Sequence, residues 1–158
     1  MNIFILDTDV KKNAQYHANS HVTKMVVEYC QLLSTACHLH GVNVEGMYKC
    51  THKNHPSAVW VRESKQNYDY LLSLTEALLD EYTHRYGKVH ASSRLIPLFK
   101  SVQNKIPTGC NKITKFAIVV DKQISNTNDA VTDYRKLYMT AKRDLCKWKN
   151  RDVPNWFV

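Results

Sequence analysis

His17, His21, Lys24 and Glu28 are the residues of this chain whose types and spacing best suit chemistry. On an α-helix of 3.6 residues per turn their offsets hold the four side chains within about 60° of one another. Two imidazoles, an ammonium and a carboxylate on one stripe can move protons, grip a phosphate or bind a metal. Glu28 is the general acid or base of the set. The imidazoles can hold a phosphate or shuttle protons. Lys24 can hold a phosphate or, if desolvated, form a Schiff base. The plain alternative is a solvated helix face with i,i+4 charge pairs. Such a face usually carries Glu, Lys and Gln, so two histidines one turn apart favour the functional reading.

The elements that must position this stripe follow from hydrophobic period and breakers. Val22, Met25, Val26, Tyr29, Leu32, Leu33 and Ala36 form an apolar stripe centred about 100° around the same helix. The helical pattern runs from about Val10 to His40, opened by the cap cluster Asp7-Thr8-Asp9, closed by Gly41, with a break allowed near Ala18-Asn19-Ser20. Residues 2–6 read as a short strand or an extended segment, and 41–54 as a loop. A second long helix is predicted from Ser57 to Tyr86, with Pro56 near its first position and Gly87 as its stop. Ser64 and Asn67 fall on its apolar face where Leu is expected. They either border a cleft or are satisfied buried polar groups. Ser92-Ser93 is expected to cap a short helix over Arg94 to Val102. Phe116 to Val120 is helix or strand, unresolved by pattern. Asn126 to Asp129 caps a last helix over about 129–149, whose core face includes Tyr134, Leu137, Tyr138, Leu145 and Trp148. The expectation is an all-α fold: a compact single domain over 1–158 with three main helices, short connecting helices and extended termini.

Whole-chain numbers agree with that picture. At 158 residues and 44% hydrophobic, the chain suits one globular core. Four Gly and four Pro are too few for the many tight turns of a β-sandwich. No apolar run is long enough to span a membrane, and the first residues lack the basic and apolar regions of a secretory signal. The five cysteines form no CxxC pair, which reads as reduced, mostly structural thiols in a cytoplasm.

A net charge of +8 favours a polyanionic partner, nucleic acid first. Three further clusters fit it. His52 and His55 precede the second long helix with Arg62 two turns on, and a positive helix N-terminus suits an anion. Thr83 to His90 carries His84, Arg85 and Lys88 around Tyr86, as a nucleic-acid contact or an ordinary basic helix end. The C-terminal stretch alternates Lys142, Arg143, Lys147, Lys149 and Arg151 with Trp148 and Trp156. Trp156 and Phe157 can wedge into a duplex or pack the tail onto the body, and packing is the preferred reading. There is no phosphate-binding Gly loop, GxSxG elbow or HExxH.

Several of these segments together resemble the pyrimidine-dimer DNA glycosylases of the endonuclease V type, in a phage-type form. Ala14-Gln15-Tyr16-His17 leading to Glu28 is similar to that family's first helix, with its histidine and catalytic glutamate. His55-Pro56, then Trp60-Val61-Arg62 and a Leu-rich helix ending at Arg85-Tyr86-Gly87, resembles its second. Trp148 to Arg151 and Pro154-Asn155-Trp156-Phe157 resemble its aromatic C-terminal segment. The resemblance implies a helical DNA-repair enzyme whose N-terminal α-amine attacks the sugar C1′ of a damaged nucleotide. An imine forms, a glutamate assists, and β-elimination cuts the strand. An α-amine suits this role because its usual pKa is about 8, well below that of lysine.

The sequence departs from the family in three places, one of them the spacing from His17 to Glu28. Asn2 is bulky for removal of the initiator, so Met1 stays and supplies the amine or the chain has no such nucleophile. Both Met1 and Asn2 are carried as candidate positions. The family's phosphate-gripping arginines beside the glutamate have no clear match, and His21 and Lys24 occupy that region.

The leading expectation is therefore a DNA glycosylase/AP-lyase acting on damaged or modified duplex DNA in a bacterial host cytoplasm. Glu28 is its catalytic carboxylate, and His17, His21 and Lys24 contact the sugar and phosphate. His55, Arg62, Asn67, Arg85 and Lys88 are its expected DNA-binding residues, and no metal or other cofactor is assigned. Two other classes stay open. One is a non-enzymatic phage nucleic-acid-binding or anti-defence protein. The other is a metal-dependent hydrolase using His17, His21 and Glu28.

Overall fold

Six α-helices carry the chain, with extended segments at both ends and no β-sheet. The computed structural model describes residues 1–158. The helices are α1 (Val10–Tyr16), α2 (Asn19–Leu39), α3 (Pro56–Glu63), α4 (Lys65–Tyr86), α5 (Ile96–Val102) and α6 (Ala130–Met139). Single 3₁₀ turns lie at Ala91–Leu95, Gln103–Lys105 and Arg143–Leu145. The all-α expectation holds, with two long helices, α2 and α4, as its spine. These two pack on each other, α3 packs on both, and α1 lies against α4. The apolar stripe of α2 is buried as its period requires, from Val22 to Cys37. No helix is long and apolar enough to cross a membrane.

Both long sequence patterns break into two helices. Asp9 caps α1 by accepting the Lys12 N–H at 2.8 Å. The chain then leaves helical geometry at His17 and Ala18, which are extended at ψ 131° and 155°. The side chain of His17 bonds the Asn13 carbonyl at 2.7 Å, a local bond that competes with continuing the helix. So His17 lies outside α2, and the four-residue stripe is not one helix face.

The second break is at Ser64, fully extended at φ −154°, ψ 154°. Its hydroxyl accepts the Asn67 N–H at 3.1 Å and starts α4. Asn67 is completely buried. Its amide donates to the Trp60 carbonyl at 2.8 Å and to Thr114 Oγ1 at 2.7 Å, and accepts the Thr114 N–H at 3.0 Å. The polar pair therefore fastens the connector to the helix junction and borders no cleft.

Other boundaries also move. The cap of the 91–95 turn is His90, whose ring accepts the Ser92 N–H, in place of Ser92-Ser93. The last helix starts as expected, with Asp129 accepting from Thr132, but stops at Met139. The Thr140 hydroxyl there bonds the Lys136 carbonyl at 2.7 Å, and the chain turns. Trp148 is still buried, donating to the Tyr16 carbonyl at 2.9 Å. Phe116 to Val120 is neither helix nor sheet. It is extended and pinned by Tyr134, whose hydroxyl accepts the Val119 N–H and donates to the Ala117 carbonyl. Trp156 packs edge-on to Tyr16 at 5.7 Å with the Arg135 guanidinium over its ring, so the tail is folded onto the body.

Residues 2–6 decide what the site looks like. Ile3 to Leu6 are extended and at most 3% exposed, yet no strand pairs with them. Side chains do the pairing instead. Phe4 N–H donates to the Tyr29 hydroxyl at 3.1 Å, and Leu6 N–H to Asn13 Oδ1 at 2.8 Å. Asn2 donates to the Val119 carbonyl at 3.1 Å, and Arg135 to the Leu6 carbonyl at 2.8 Å. Buried backbone groups must be satisfied, and here α1, α2 and α6 satisfy those of Phe4 and Leu6, while the Asn2 side chain ties the segment to 116–120.

Candidate active site

The buried N-terminal segment delivers the α-amine of Met1 to Glu28 on α2, with 3.5 Å between nitrogen and Oε2. Lys24, one turn earlier on α2, reaches the other carboxylate oxygen, also at 3.5 Å. Lys24 is two-thirds exposed, whereas Glu28 is 18% exposed and Met1 6%. A small cavity of about 130 Å³ opens over this group. Asn2, Phe4, His21, Met25 and Lys142 complete its wall. Three amines around one carboxylate make a cationic pocket with one proton acceptor, suited to a phosphodiester and a developing anion.

His21 forms the floor of the pocket. It stacks on Phe4 with ring centroids 4.4 Å apart and planes 16° from parallel. Its Nδ1 is 2.5 Å from the Tyr138 hydroxyl on α6. Burial pulls its pKa down to about 3, helped by His17, Lys142 and Lys24.

His17 stands behind this wall, wholly buried, with both ring nitrogens occupied. Nδ1 faces the Asn13 carbonyl, which can only accept, so Nδ1 carries the proton. Nε2 then accepts from the Tyr29 hydroxyl at 2.8 Å. Burial pulls its pKa down to about 4. His17 thus orients Tyr29, and Tyr29 holds Phe4. It cannot reach a substrate without dismantling that chain of bonds. The same bonds remove it as a metal ligand, and no three His, Cys, Asp or Glu side chains meet in a way that could hold a metal ion. The metal-hydrolase set of His17, His21 and Glu28 is not assembled.

The expected DNA-binding residues separate into two groups. His55 lies within electrostatic reach of the Met1 amine and Glu28. It caps α3, its Nδ1 accepting the Ser57 N–H at 3.1 Å. Arg62 is half-buried and donates to the Lys53 carbonyl at 2.6 Å, fixing the loop beside His55. Lys88 is exposed beyond the end of α4. Arg85 and Asn67 are structural. Arg85 is 1% exposed and bonds Glu81, Asn19 and the Gln15 carbonyl, tying α4 to α1 and α2. Arg151 also pairs with Glu81 at 3.0 Å. Burial opposes ionisation of Glu81, but the Arg151 and Arg85 bonds outweigh it and hold the carboxyl below its usual range. A larger groove of about 820 Å³ lies over this network, between the start of α1 and α4. In that groove Glu81 is taken up by Arg85 and Arg151, whereas the small pocket holds the Met1 and Lys24 amines against one carboxylate.

Phe4, Tyr138 and Lys142 were not among the expected site residues. Lys142 stood only in the basic C-terminal stretch, four residues after Tyr138, and nothing in the sequence marks which helix end meets the terminus.

A family model described as pyrimidine dimer DNA glycosylase matches residues 1–94. The chain belongs to that family. No curated relative and no solved structure matches it. Membership brings DNA as substrate and a glycosylase-type function on damaged pyrimidines. The matched residues contain the amine, His21, Lys24 and Glu28. Tyr138 and Lys142 lie beyond them.

Proposed function

We propose that this family member is a DNA glycosylase with an associated strand-cleaving lyase step, and that the Met1 α-amine is its nucleophile. The observation that carries the reading is the amine held 3.5 Å from Glu28 by a buried segment. Glu28 takes a proton from the ammonium, and the amine so freed attacks C1′ of the damaged nucleotide. The C1′–N bond to the base breaks and the base leaves with a proton; the C1′–O4′ bond then breaks, O4′ takes the proton held by Glu28, and the nitrogen closes a protonated imine to C1′. The imine acidifies the C2′ hydrogen. Glu28, again a carboxylate, removes it, and the 3′ phosphate leaves by β-elimination. Lys24 faces the same carboxylate from solvent, where it can meet the phosphodiester. A base inside a duplex is out of reach of so small a pocket, so the nucleotide must leave the stack.

Borohydride trapping on duplex DNA containing an abasic site or a pyrimidine dimer, with mass mapping of the crosslink, tests this. The expected crosslink is at the α-amine. A crosslink at Lys24 keeps imine chemistry and overturns the nucleophile; none at all overturns the mechanism. Glu28→Gln is expected to lose turnover by at least about 100-fold, on the scale of general acid–base catalysis, while binding DNA. Normal turnover in that variant removes Glu28 from the chemistry.

A further inference from the structure

We propose that Tyr138 locks His21 in the Nε2–H tautomer, so that His21 presents a neutral hydrogen-bond donor to the sugar–phosphate of the nucleotide in the pocket. This rests on the pocket of Met1 and Glu28 being the reactive site.

The assignment follows from counting donors and acceptors. The Tyr138 hydroxyl accepts the Ala18 N–H at 3.3 Å and has a single proton to give. The only acceptor within reach of that proton is His21 Nδ1, at 2.5 Å. If Nδ1 carried the proton, the buried Tyr138 O–H would have no acceptor, and a buried polar group left unpaired is costly. Tyr138 is fully buried and stays protonated, since burial drives its pKa well above the usual value. So Nδ1 is the bare nitrogen and Nε2 carries the hydrogen. Nε2 has no protein partner and is not among the sealed unpaired atoms, and His21 lines the pocket.

The ring is also kept neutral. Its surroundings are the Phe4 face, Tyr138, His17 behind, and Lys24 and Lys142. Glu28 and the Met1 amine share the pocket. Burial and the cations both disfavour an imidazolium. A neutral imidazole whose Nδ1 is occupied can stabilise an oxygen but is a poor proton donor. Proton transfer therefore falls to Glu28, and His21 acts as a fixed dipole aimed at a sugar or phosphate oxygen. Tyr138 is the positioning residue, supplied by a helix outside residues 1–94.

Long-range ¹H–¹⁵N correlation on the full chain with ¹⁵N-labelled histidine reads the tautomer directly. The expected spectrum has His21 protonated on Nε2 only, unchanged from pH 5 to 8. An Nδ1–H form, or an imidazolium in that range, overturns the proposal. Tyr138→Phe keeps the ring and removes the hydroxyl. It is expected to mix the two tautomers and to slow imine trapping on an abasic duplex about 10-fold. An unchanged spectrum, or trapping within twofold of the parent, overturns it. If Tyr138→Phe does not fold, the spectrum of the parent chain decides. A failure to trap any imine in the parent overturns the mechanism above while leaving the tautomer result standing.

Discussion

Lowering the pH from 7 to 5 is expected to cost this protein about 4 kcal/mol of folding stability, through two buried histidines. In the unfolded chain each has the ordinary pKa of 6.5; folded, His17 sits at about 4 and His21 at about 3. Between those values and 6.5 the unfolded state binds the extra protons, so stability falls as pH drops through 6.5. At pH 5 the unfolded imidazoles are almost fully charged and the folded ones almost fully neutral, which is worth about 2 kcal/mol each. His55 and His90 shift in the same direction but are more exposed and add less. Glu81, Asp129 and Asp133 have lowered pKa values, so their stabilisation is present above the carboxylate range and lost only as pH falls through it. The window from 7 to 5 therefore isolates the imidazoles. Urea unfolding at the two pH values, extrapolated to water, measures the difference. A parallel thermal melt should drop by about 10 °C, at roughly 2–4 °C per kcal/mol for this size. A loss below about 1 kcal/mol, on the scale set by linkage, would mean that these histidines titrate freely and that the bonds assigned to them do not hold in solution.

Two other perturbations test the supports of the site. Tyr29→Phe removes one hydroxyl that satisfies both the Phe4 N–H and His17 Nε2. It should cost about 2–4 kcal/mol in urea unfolding and also lower the yield of amine trapping; a stability loss with full trapping would refute the link from Tyr29 to the terminus. Gly109→Ala places a Cβ 2.4 Å from the Glu63 carbonyl oxygen at φ +59°. It should shift the melting temperature down by several degrees, on the order of 1–3 kcal/mol, without changing chemistry at Glu28.

The sequence carried the fold class because the 3.6-residue stripes of α2 and α4 are long and clean. Its errors came where one side chain outbids the helix. His17 and Ser64 both lie within helical periodicity, yet His17 ends α1 by bonding the Asn13 carbonyl and Ser64 starts a new helix by accepting the Asn67 N–H, which no hydrophobic pattern encodes. The break moved His17 from the exposed stripe into the wall behind it. Glu28, Lys24 and His21 remained together because they lie on one uninterrupted helix, where spacing fixes direction. Arg85 and Asn67 read as nucleic-acid contacts for the opposite reason. Buried polar residues with partners distant in sequence look, one residue at a time, like functional ones.

The terminal amine poses the harder structural problem. Chain ends fray unless something holds them, and a nucleophile must wait within about 3–3.5 Å of its target geometry to gain from proximity. A sheet would be the usual anchor, and this chain has none. It uses four apolar side chains driven into the core and a ring of side-chain acceptors and donors for the backbone between them. Three further ties, the Val119 carbonyl on the Asn2 side chain, Tyr134 holding the 116–120 segment, and Arg135 on Leu6 and Asp7, come from beyond residue 94. The same region brings Tyr138 against His21 and Lys142 into the pocket wall. The matched residues hold the proposed nucleophile and carboxylate, but the geometry that brings that amine and carboxylate together is set in part by the chain that follows.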